Sequence, residues 1–387
     1  MSTVEARSPL ASWLAVSSVM MGIFSIVTTE ILPIGLLTPI ASAFHIPAGV
    51  AGWTMTMPGI VAAVAAPAVT VATGRLDRRV MLCVLMILLA VADFLAATAA
   101  AYWTMLLART LVGLTIGGFW SIGAGLSNRL VPARKGLATA VIFAAVPLGS
   151  VLGVPAGTLI GELAGWRAAF LVMGILTVGV VVALIILLPP LPAVHATDLA
   201  SLWNVLRSRK ARPALVVTFL LVLAHFGTYT YVTPFLHQVT HLDAGLISPF
   251  LLGYGGAGIV GTFLAARWPT FPLSAALLAG ATLLLPIFGG SPAGALGLLI
   301  MWGMGYGAVP VCSQAWFSRA APAAPEVATV LFTSSFQATI SVGALLGGIV
   351  VDATSPSIVM LCGGAVALIA VLFANVARWP EPDVSVT

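Results

Sequence analysis

Long apolar runs dominate this sequence and leave it few ways to fold. Of its 387 residues, 60% are hydrophobic and only 7% are charged, and the mean hydropathy is +1.13. A water-soluble domain carries about 25% charged residues to cover its surface. A helix that spans a bilayer needs roughly 20 mostly apolar residues, and runs of that length recur along the whole chain. The sequence therefore predicts an all-α integral membrane protein.

Twelve apolar segments can be marked out between charge clusters and Gly/Pro breaks. They lie near residues 12–40, 50–73, 80–99, 103–128, 136–160, 167–188, 213–237, 245–267, 271–290, 294–318, 326–351 and 356–377. The longest polar break falls in the middle of the chain and divides them six and six. We therefore expect an N-terminal six-helix bundle over 1–188, a cytoplasmic linker over 189–212 and a C-terminal six-helix bundle over 213–387.

The basic residues predict the orientation of these segments. If the N-terminus is inside, 14 of the 16 Lys and Arg residues fall in cytoplasmic stretches. The two others are Arg109, inside the fourth segment, and Arg167, at an outer loop. Cytoplasmic loops of membrane proteins carry such an excess of positive charge. We therefore predict cytoplasmic termini, and we attribute the basic balance to the loops rather than to nucleic-acid binding.

The two halves of the sequence resemble each other at a fixed offset of 190 residues. Gly113, Gly117, Arg129, Pro132, Gly153 and Gly157 fall on Gly303, Gly307, Arg319, Pro322, Gly343 and Gly347. An internal duplication accounts for an offset that holds through two successive segments. Because each half has six segments, both copies keep the same orientation, which predicts a pseudo-two-fold axis along the membrane normal. Paired bundles with a cavity between them suit alternating access.

Arg109 is the most costly residue in the chain, because a guanidinium within a membrane helix costs roughly 2.5–3.5 kcal/mol on insertion scales. Glu30 lies in the outer half of the first segment, and Asp93 is as far from the turn near residue 101 as Arg109 is. We therefore expect Glu30, Asp93 and Arg109 to cluster. Glu30 has two interpretations, a proton- or cation-binding carboxylate and a structural ion pair with Arg109. Asp93 belongs to the cluster or is a locally paired or snorkelling residue.

Several polar and aromatic side chains within the segments could hold a substrate: Trp120, His225, Tyr229, Gln314 and Gln337. Trp120 recurs at helical spacing from Arg109, and His225 and Tyr229 lie four residues apart, so each pair shares a helix face. Plainer interpretations are a packing tryptophan, a neutral buried histidine and glutamines that hold helices together. Aromatic and amide groups favour neutral polar or amphipathic substrates.

Small residues line one face of the fifth segment, where Gly149, Gly153 and Gly157 are spaced by four. This spacing allows close helix contact, and Pro155 removes one backbone donor and could bend the helix. A bendable seam and simple packing both fit the pattern.

Motifs for other functions are missing from the sequence. Cys83, Cys312 and Cys362 have no metal-binding spacing, and no GxxxxGK[ST] or HExxH stretch occurs. No nucleophile–base pair is apparent. We therefore expect no metal, no cofactor, no ATPase and no enzymatic activity.

The chain resembles the major facilitator superfamily, in particular its twelve-span drug:H+ antiporter group. Within that group it looks most like the sugar-efflux and purine-ribonucleoside-efflux branch. The resemblance covers nearly the whole length and is carried by residues 28–46, 74–79, 106–132, 148–170 and 251–262. It implies two six-helix bundles in a bacterial inner membrane and a monomer that exports a small molecule in exchange for protons.

The resemblance also implies roles for particular residues. Arg109 matches the fourth-span arginine of proton transfer, and Glu30 matches the acidic first-span position that communicates with it. Gly74, Asp77, Arg78 and Arg79 resemble the cytoplasmic gate, in which the aspartate engages charges between the halves. Gly149, Gly153, Pro155 and Gly157 look like the fifth-span antiporter motif. An uptake symporter of the same fold and a non-transporting membrane receptor remain alternatives.

Overall fold

A computed structural model of the protein describes residues 8–72, 76–123, 126–192, 211–267, 271–310, 312–313, 316 and 325–376. Over these ranges the chain is almost entirely helical and contains no β-strand. In the N-terminal half the long helices are α1 (Pro9–Phe44), α2 (Trp53–Ala72), α3 (Arg78–Ala97), α4 (Tyr102–Gly123), α5a (Lys135–Leu148), α5b (Val154–Ala164) and α6 (Trp166–Leu187). A π-turn, Gly149–Gly153, joins α5a to α5b, and short helices occupy Ala48–Ala51, Ser127–Leu130 and Pro132–Arg134.

The C-terminal half repeats this arrangement. Its helices are α7a (Ala211–Tyr229), α7b (Val232–Gln238), α8 (Ala244–Arg267), α9 (Phe271–Phe288), α10 (Pro292–Gly307), α11 (Pro325–Ala353) and α12 (Pro356–Val376). Each of the twelve predicted segments overlaps one of these helices or helix pairs, and the tenth, 294–318, runs past α10 into residues that the structure describes only in part. Among the described residues, nine helices are long and apolar enough to cross a membrane, or ten if the bent pair in α7, which meets at 41°, forms one span.

Local sequence explains how two of these helices begin. Pro9 stands in the first turn of α1, where its missing N–H is not needed, and the Ser8 hydroxyl accepts a hydrogen bond from the Ala11 N–H. Asp77 caps α3 by accepting from the Arg79 N–H at 2.8 Å. Such caps satisfy donors that have no partner within the helix.

Helix packing follows the pseudo-two-fold symmetry that the sequence predicts. In the N-terminal half α2 packs on α4, α3 packs on α4 and α6, and α1 packs on α5 and α6. In the C-terminal half α8 packs on α10, α9 packs on α10 and α12, and α7 packs on α11 and α12. The two halves meet chiefly through α2 against α11 and α5 against α8. The chain therefore has the expected fold of two related bundles.

The glycines of the duplicated pattern occupy equivalent helix crossings. Gly113 on α4 lies against the Pro58 main chain of α2, and Gly303 on α10 lies against the Tyr254 main chain of α8. A methyl group at either glycine would overlap a backbone oxygen. The repeated glycines thus mark places where two backbones approach closely, which small residues permit.

Contacts between the halves run from the middle of the helices to their predicted outer ends. The Gly49 N–H donates to Asp352 at 2.7 Å, and the Thr233 hydroxyl donates to the Ile34 carbonyl at 2.7 Å. The Ser248 hydroxyl donates to the Pro155 carbonyl at 2.5 Å. These bonds hold the two bundles together on the predicted outer side, so the structure is closed at that side.

Candidate functional site

Arg109 is fully buried and is held by three main-chain carbonyls. Its Nε donates to Thr54 O at 2.7 Å, its Nη1 to Thr29 O at 2.7 Å and its Nη2 to Glu30 O at 2.5 Å. The guanidinium therefore ties α4 to α1 and α2. Charge-assisted hydrogen bonds to carbonyls satisfy its donors, and the carboxylates of the expected cluster act on it through space.

Two prolines explain why these carbonyls are free to bind Arg109. In a regular helix the Thr29 carbonyl would accept from the N–H of residue 33, and the Thr54 carbonyl from that of residue 58. Both positions are proline, Pro33 in α1 and Pro58 in α2, and proline has no N–H. Arg109 supplies the donors that the two helices lack. The sequence analysis did not connect these prolines with Arg109, although each proline stands four residues after the carbonyl that it leaves free.

Asp93 is also fully buried and lies next to this assembly. Its Oδ2 accepts from the Thr29 hydroxyl at 3.3 Å and from the Thr177 hydroxyl at 3.4 Å, while its Oδ1 has no hydrogen-bond partner. Thr29 therefore connects Asp93 with Arg109, because its hydroxyl binds Asp93 and its carbonyl binds Arg109. Asp93 and Glu30 both lie within electrostatic range of Arg109, so the three predicted residues do come together.

The side chain of Glu30 points across the interface between the halves. Its Oε1 accepts a hydrogen bond from Nε2 of Gln337 on α11 at 2.9 Å. Glu30 is 7% exposed and Gln337 is 6% exposed. The sequence does not predict this bond between Glu30 and Gln337. The expected role of Gln337 in substrate binding stays a prediction. A buried carboxylate at the contact between two bundles has a charge that depends on how closely they pack.

His225 lies at the centre of an aromatic cluster in the C-terminal half. Trp302 Nε1 donates to its Nδ1 at 3.1 Å, and the Tyr254 hydroxyl lies 3.5 Å from its Nε2. The rings of Tyr229 and Tyr306 stack on the imidazole, with centroids at 5.0 and 3.3 Å. Since Nδ1 accepts the indole proton, the neutral imidazole carries its own proton on Nε2.

Sequence reasoning found His225 and Tyr229 in this cluster and missed the other three residues. Trp302 and Tyr306 stand four apart on α10, the spacing that singled out His225 and Tyr229 on α7, so the same criterion could have found them. Tyr254 gave no such signal. Trp302 is fully buried, whereas Tyr306 is partly exposed and lies within electrostatic range of Glu30.

The remaining candidates for substrate binding lie elsewhere. Trp120 is partly buried and packs against the apolar core of the N-terminal half, whereas the rings around His225 come from α7, α8 and α10. Gln314 falls outside the described residues, so its predicted role stays a prediction.

The glycines of α5 pack against α1. A methyl group at Gly149 would meet Val27, at Gly153 it would overlap Thr28, and at Gly157 it would overlap Leu32. The π-turn ends two residues before Pro155. Proline at that position removes a donor from the ladder, and π-turns often mark functional positions in helices. The Pro155 carbonyl accepts from Ser248 of α8, so the same region also touches the other half.

The predicted gate residues fasten α3 to the end of α6. Asp77 accepts from the N–H groups of Arg79 and Leu191, both at 2.8 Å, and the Arg78 N–H donates to the Leu191 carbonyl at 2.9 Å. Arg79 also donates to the Ile185 carbonyl. These contacts run to α6 and to the residues just after it. The charge contact between the halves that the resemblance implies for Asp77 stays a prediction. Gly74 lies outside the described residues.

Comparison with known proteins connects this arrangement to a transporter family. The profile described as Major Facilitator Superfamily matches residues 13–333. A relative from Pseudomonas aeruginosa strain PAO1, the "Transcription regulatory protein OpdE", is 32% identical over 376 residues, covering 93% of this chain and 92% of its own.

Solved structures share the fold at low sequence identity. The human organic anion transporter MFSD10 (TETRAN) superposes with a TM-score of 0.71 at 16% identity, over 95% of this chain and all of its own. A bacterial homolog of the human lysosomal transporter Spinster, in an inward-facing and occupied conformation, superposes with a TM-score of 0.76 at 12% identity, over 97% of this chain and all of its own.

Proposed function

The chain belongs to the Major Facilitator Superfamily, and from that membership we propose that it is a proton-coupled exporter of small neutral polar or amphipathic compounds. Sugars, nucleosides and neutral drugs are the substrate classes that fit an interior of aromatic and amide groups. The observation that carries the proposal is the position of Glu30, a carboxylate buried between the two halves and bonded to Gln337. Transporters of this architecture work by rocking one bundle against the other.

The surroundings of Glu30 suit a group that gains and loses a proton. Arg109 supplies nearby positive charge for the ionised form, and its hydrogen bonds run to three carbonyls. Protonation of Glu30 therefore leaves the guanidinium with all of those bonds intact. Ionisable residues inside membrane segments commonly mark such proton pathways.

In the proposed cycle, a cytoplasmic substrate enters between the halves and binds beside α11 and the aromatic cluster around His225. The halves then rock and the cavity opens outward. Glu30 takes a proton from the exterior, which favours release of the substrate, and it loses the proton after the return to the inward-facing state. One proton crossing 100 mV supplies about 2.3 kcal/mol, which supports a substrate gradient of about 50-fold.

Substitution of Glu30 tests this proposal. A thermal-stabilisation screen of the purified protein with sugars, nucleosides and amphenicols, at two pH values, supplies a substrate. In proteoliposomes we expect Glu30→Gln to retain ligand stabilisation and substrate exchange and to lose accumulation driven by a pH gradient. The physical reason is that an amide keeps the hydrogen-bonding shape of the carboxyl group and cannot carry a proton.

Glu162→Gln is the matched control, since Glu162 is a carboxylate near the predicted outer end of α5b. We expect it to pump as the unmodified protein does. Normal gradient-driven transport by Glu30→Gln would show that the coupling role is wrong.

We also propose the setting in which this cycle runs. The excess of basic residues in the predicted cytoplasmic loops favours cytoplasmic termini, and the resemblance to bacterial exporters favours an inner membrane and a monomer.

An uptake symporter of the same fold is the first alternative. It would use the same Glu30 and the same cavity in the opposite direction. Counterflow in vesicles of known orientation separates the two, because an exporter accumulates substrate on the side that corresponds to the cell exterior.

A membrane receptor that does not transport is a second alternative. A receptor binds its ligand without moving it, so purified protein in liposomes would show ligand stabilisation and no flux. Proton-dependent flux in the same liposomes would exclude a function limited to sensing.

A further inference from the structure

The amide of Gln337 is satisfied at one end only. Its Nε2 donates to Glu30 Oε1, whereas its Oε1 is buried and has no hydrogen-bond partner. The Ser334 hydroxyl, three residues earlier on α11, is also buried without a partner. Residues three apart lie on the same face of a helix. An unpaired buried acceptor costs about 1–3 kcal/mol, so a hydrogen-bonding molecule that bound at this face of α11 would remove a cost that the protein otherwise bears.

The protonation state of Glu30 limits whether the N–H group or the oxygen of the Gln337 amide can face it. An ionised carboxylate has acceptors only, so the amide must offer it an N–H. A protonated carboxyl group carries an O–H donor, and the amide oxygen can then accept from it. Rotation of the amide by half a turn makes that exchange and turns the N–H group to where the oxygen was.

We propose that Gln337 transmits the charge of Glu30 to the substrate by this rotation, an inference that rests on the proposed function. While Glu30 is ionised, Gln337 presents its carbonyl oxygen to the space between the halves and accepts a hydrogen bond from an N–H group of the substrate, which unlike a hydroxyl can only donate. Once a proton from the outer side has bound the Glu30 carboxylate, Gln337 presents its N–H instead, and the same substrate donor meets a donor. The substrate bound in the ionised state is therefore a neutral compound with an amide or heterocyclic N–H group.

Other charged groups near Glu30 are accounted for in this proposal. Among the described residues, the ionisable groups that face it are Arg109 from α4, Tyr306 from α10 and, through Arg109, Asp93 from α3. Arg109 is fixed by carbonyls in either state, and Asp93 is bonded to two hydroxyls. Gln337 is the neighbour that bonds to the Glu30 side chain itself, so its hydrogen bond is the one that the arriving proton can reverse.

The test needs no substrate, because it observes the amide directly. The chain has three glutamines, Gln238, Gln314 and Gln337, so labelling glutamine side chains with ¹⁵N gives three NH₂ signals for the full-length protein in lipid nanodiscs. The Gln337 signal is identified by its loss in Gln337→Asn and in Gln337→Leu. Infrared difference spectra of the same sample, compared with those of Glu30→Gln, follow the Glu30 carboxyl group.

We expect the Gln337 signal to shift during a pH titration with the same midpoint as the Glu30 carboxyl band. In Glu30→Gln the shift should disappear, and the exposed Gln238 should serve as an internal control that does not share the midpoint. If Glu30 titrates and the Gln337 signal does not follow it, the rotation is wrong while the proton-coupling proposal stands. If Glu30 stays in one protonation state at all pH values tested, both proposals fail.

Discussion

Two of the hydrogen bonds of Arg109 depend on prolines, which have no N–H group to offer to a neighbouring carbonyl. Pro33 and Pro58 leave the carbonyls of Thr29 and Thr54 without a helical donor, and a guanidinium in α4 satisfies both. A planar group with five donors in a fixed arrangement can reach several carbonyls at once. A lysine at this position would have one ammonium group on a flexible stem.

We therefore predict that Arg109→Lys lowers the free energy of unfolding by about 2–4 kcal/mol, because two of three charge-assisted hydrogen bonds are lost. Thermal unfolding of the purified protein measures the loss. Arg167→Lys is the control, since Arg167 donates to a single carbonyl, that of Ala99, at the predicted outer end. Equal stability of Arg109→Lys and the unmodified protein would contradict the interpretation.

A double-mutant cycle tests the part that the prolines play. Pro58→Ala restores an N–H for the Thr54 carbonyl, so it should recover about 1 kcal/mol of what Arg109→Lys loses. Pro67→Ala changes a proline of the same helix that is farther from Thr54. Its effect on the free energy of unfolding should simply add to that of Arg109→Lys, with no recovery.

Sequence could predict the members of this buried cluster but only part of their bonding. Charge in an apolar segment and equal depth in neighbouring helices suffice to bring Glu30, Asp93 and Arg109 together. The depth of a residue in the membrane does not determine the direction in which its side chain points. The partners therefore had to come from the structure: carbonyls for Arg109, hydroxyls for Asp93 and an amide for Glu30.

At the scale of one element, α5 combines a close contact with an interrupted helix. The π-turn Gly149–Gly153 separates α5a from α5b, and the glycines at its two ends lie against α1. The spacing of the glycines was visible in the sequence, and it predicted a tight helix contact. The π-turn was not visible in the sequence, because a shift in the hydrogen bonds of the helix backbone depends on how α1 and α8 pack against α5a and α5b.

Gly153→Ala should reduce stability by about 1–3 kcal/mol, since the added methyl would overlap Thr28 of α1 in a packed interface. Gly179→Ala on α6 is a suitable control, because no atom lies near a methyl group there, and alanine is about 1 kcal/mol more favourable than glycine in a helix. Thermal unfolding of the two variants should move in opposite directions. A neutral Gly153→Ala would mean that α1 and α5 are not closely packed in solution.

At the scale of the whole molecule, the two bundles are closed on the predicted outer side. Asp352 of α11 accepts from the Gly49 N–H, and the ring of Tyr231 packs against Gly52, with its hydroxyl bonded to the Ala344 carbonyl. Gly49 and Gly52 belong to the N-terminal half, so these contacts must break when the cavity opens outward. A contact that exists in one state only biases the equilibrium between states.

We predict that Asp352→Ala shifts the protein towards an outward-open arrangement. Loss of a charge-assisted hydrogen bond is worth about 1.5–3 kcal/mol, which would change the ratio of the two states by at least tenfold. Spin labels at Leu163 and Ile358, both exposed, report the distance between the outer ends of the two halves when the three native cysteines are replaced.

Asp243→Ala removes an exposed carboxylate from the same side and serves as the control. We expect its distance distribution to match that of the unmodified protein, while Asp352→Ala gains a longer component. An unchanged distribution in Asp352→Ala would show that the bond to Gly49 does not hold the outer side closed.

The sequence by itself determined that the chain is helical, where its apolar segments lie and that the scaffold is duplicated. Each of these depends on features that act along the chain: the length of an apolar run, the position of a charge, a glycine repeated after 190 residues. What the tertiary structure decided is how residues meet when they lie far apart in sequence. Gln337 and Glu30 are separated by 307 positions and bond because α11 and α1 face each other across the interface. The rotation of each helix about its axis settles such contacts, and that rotation is set by packing against all neighbours at once.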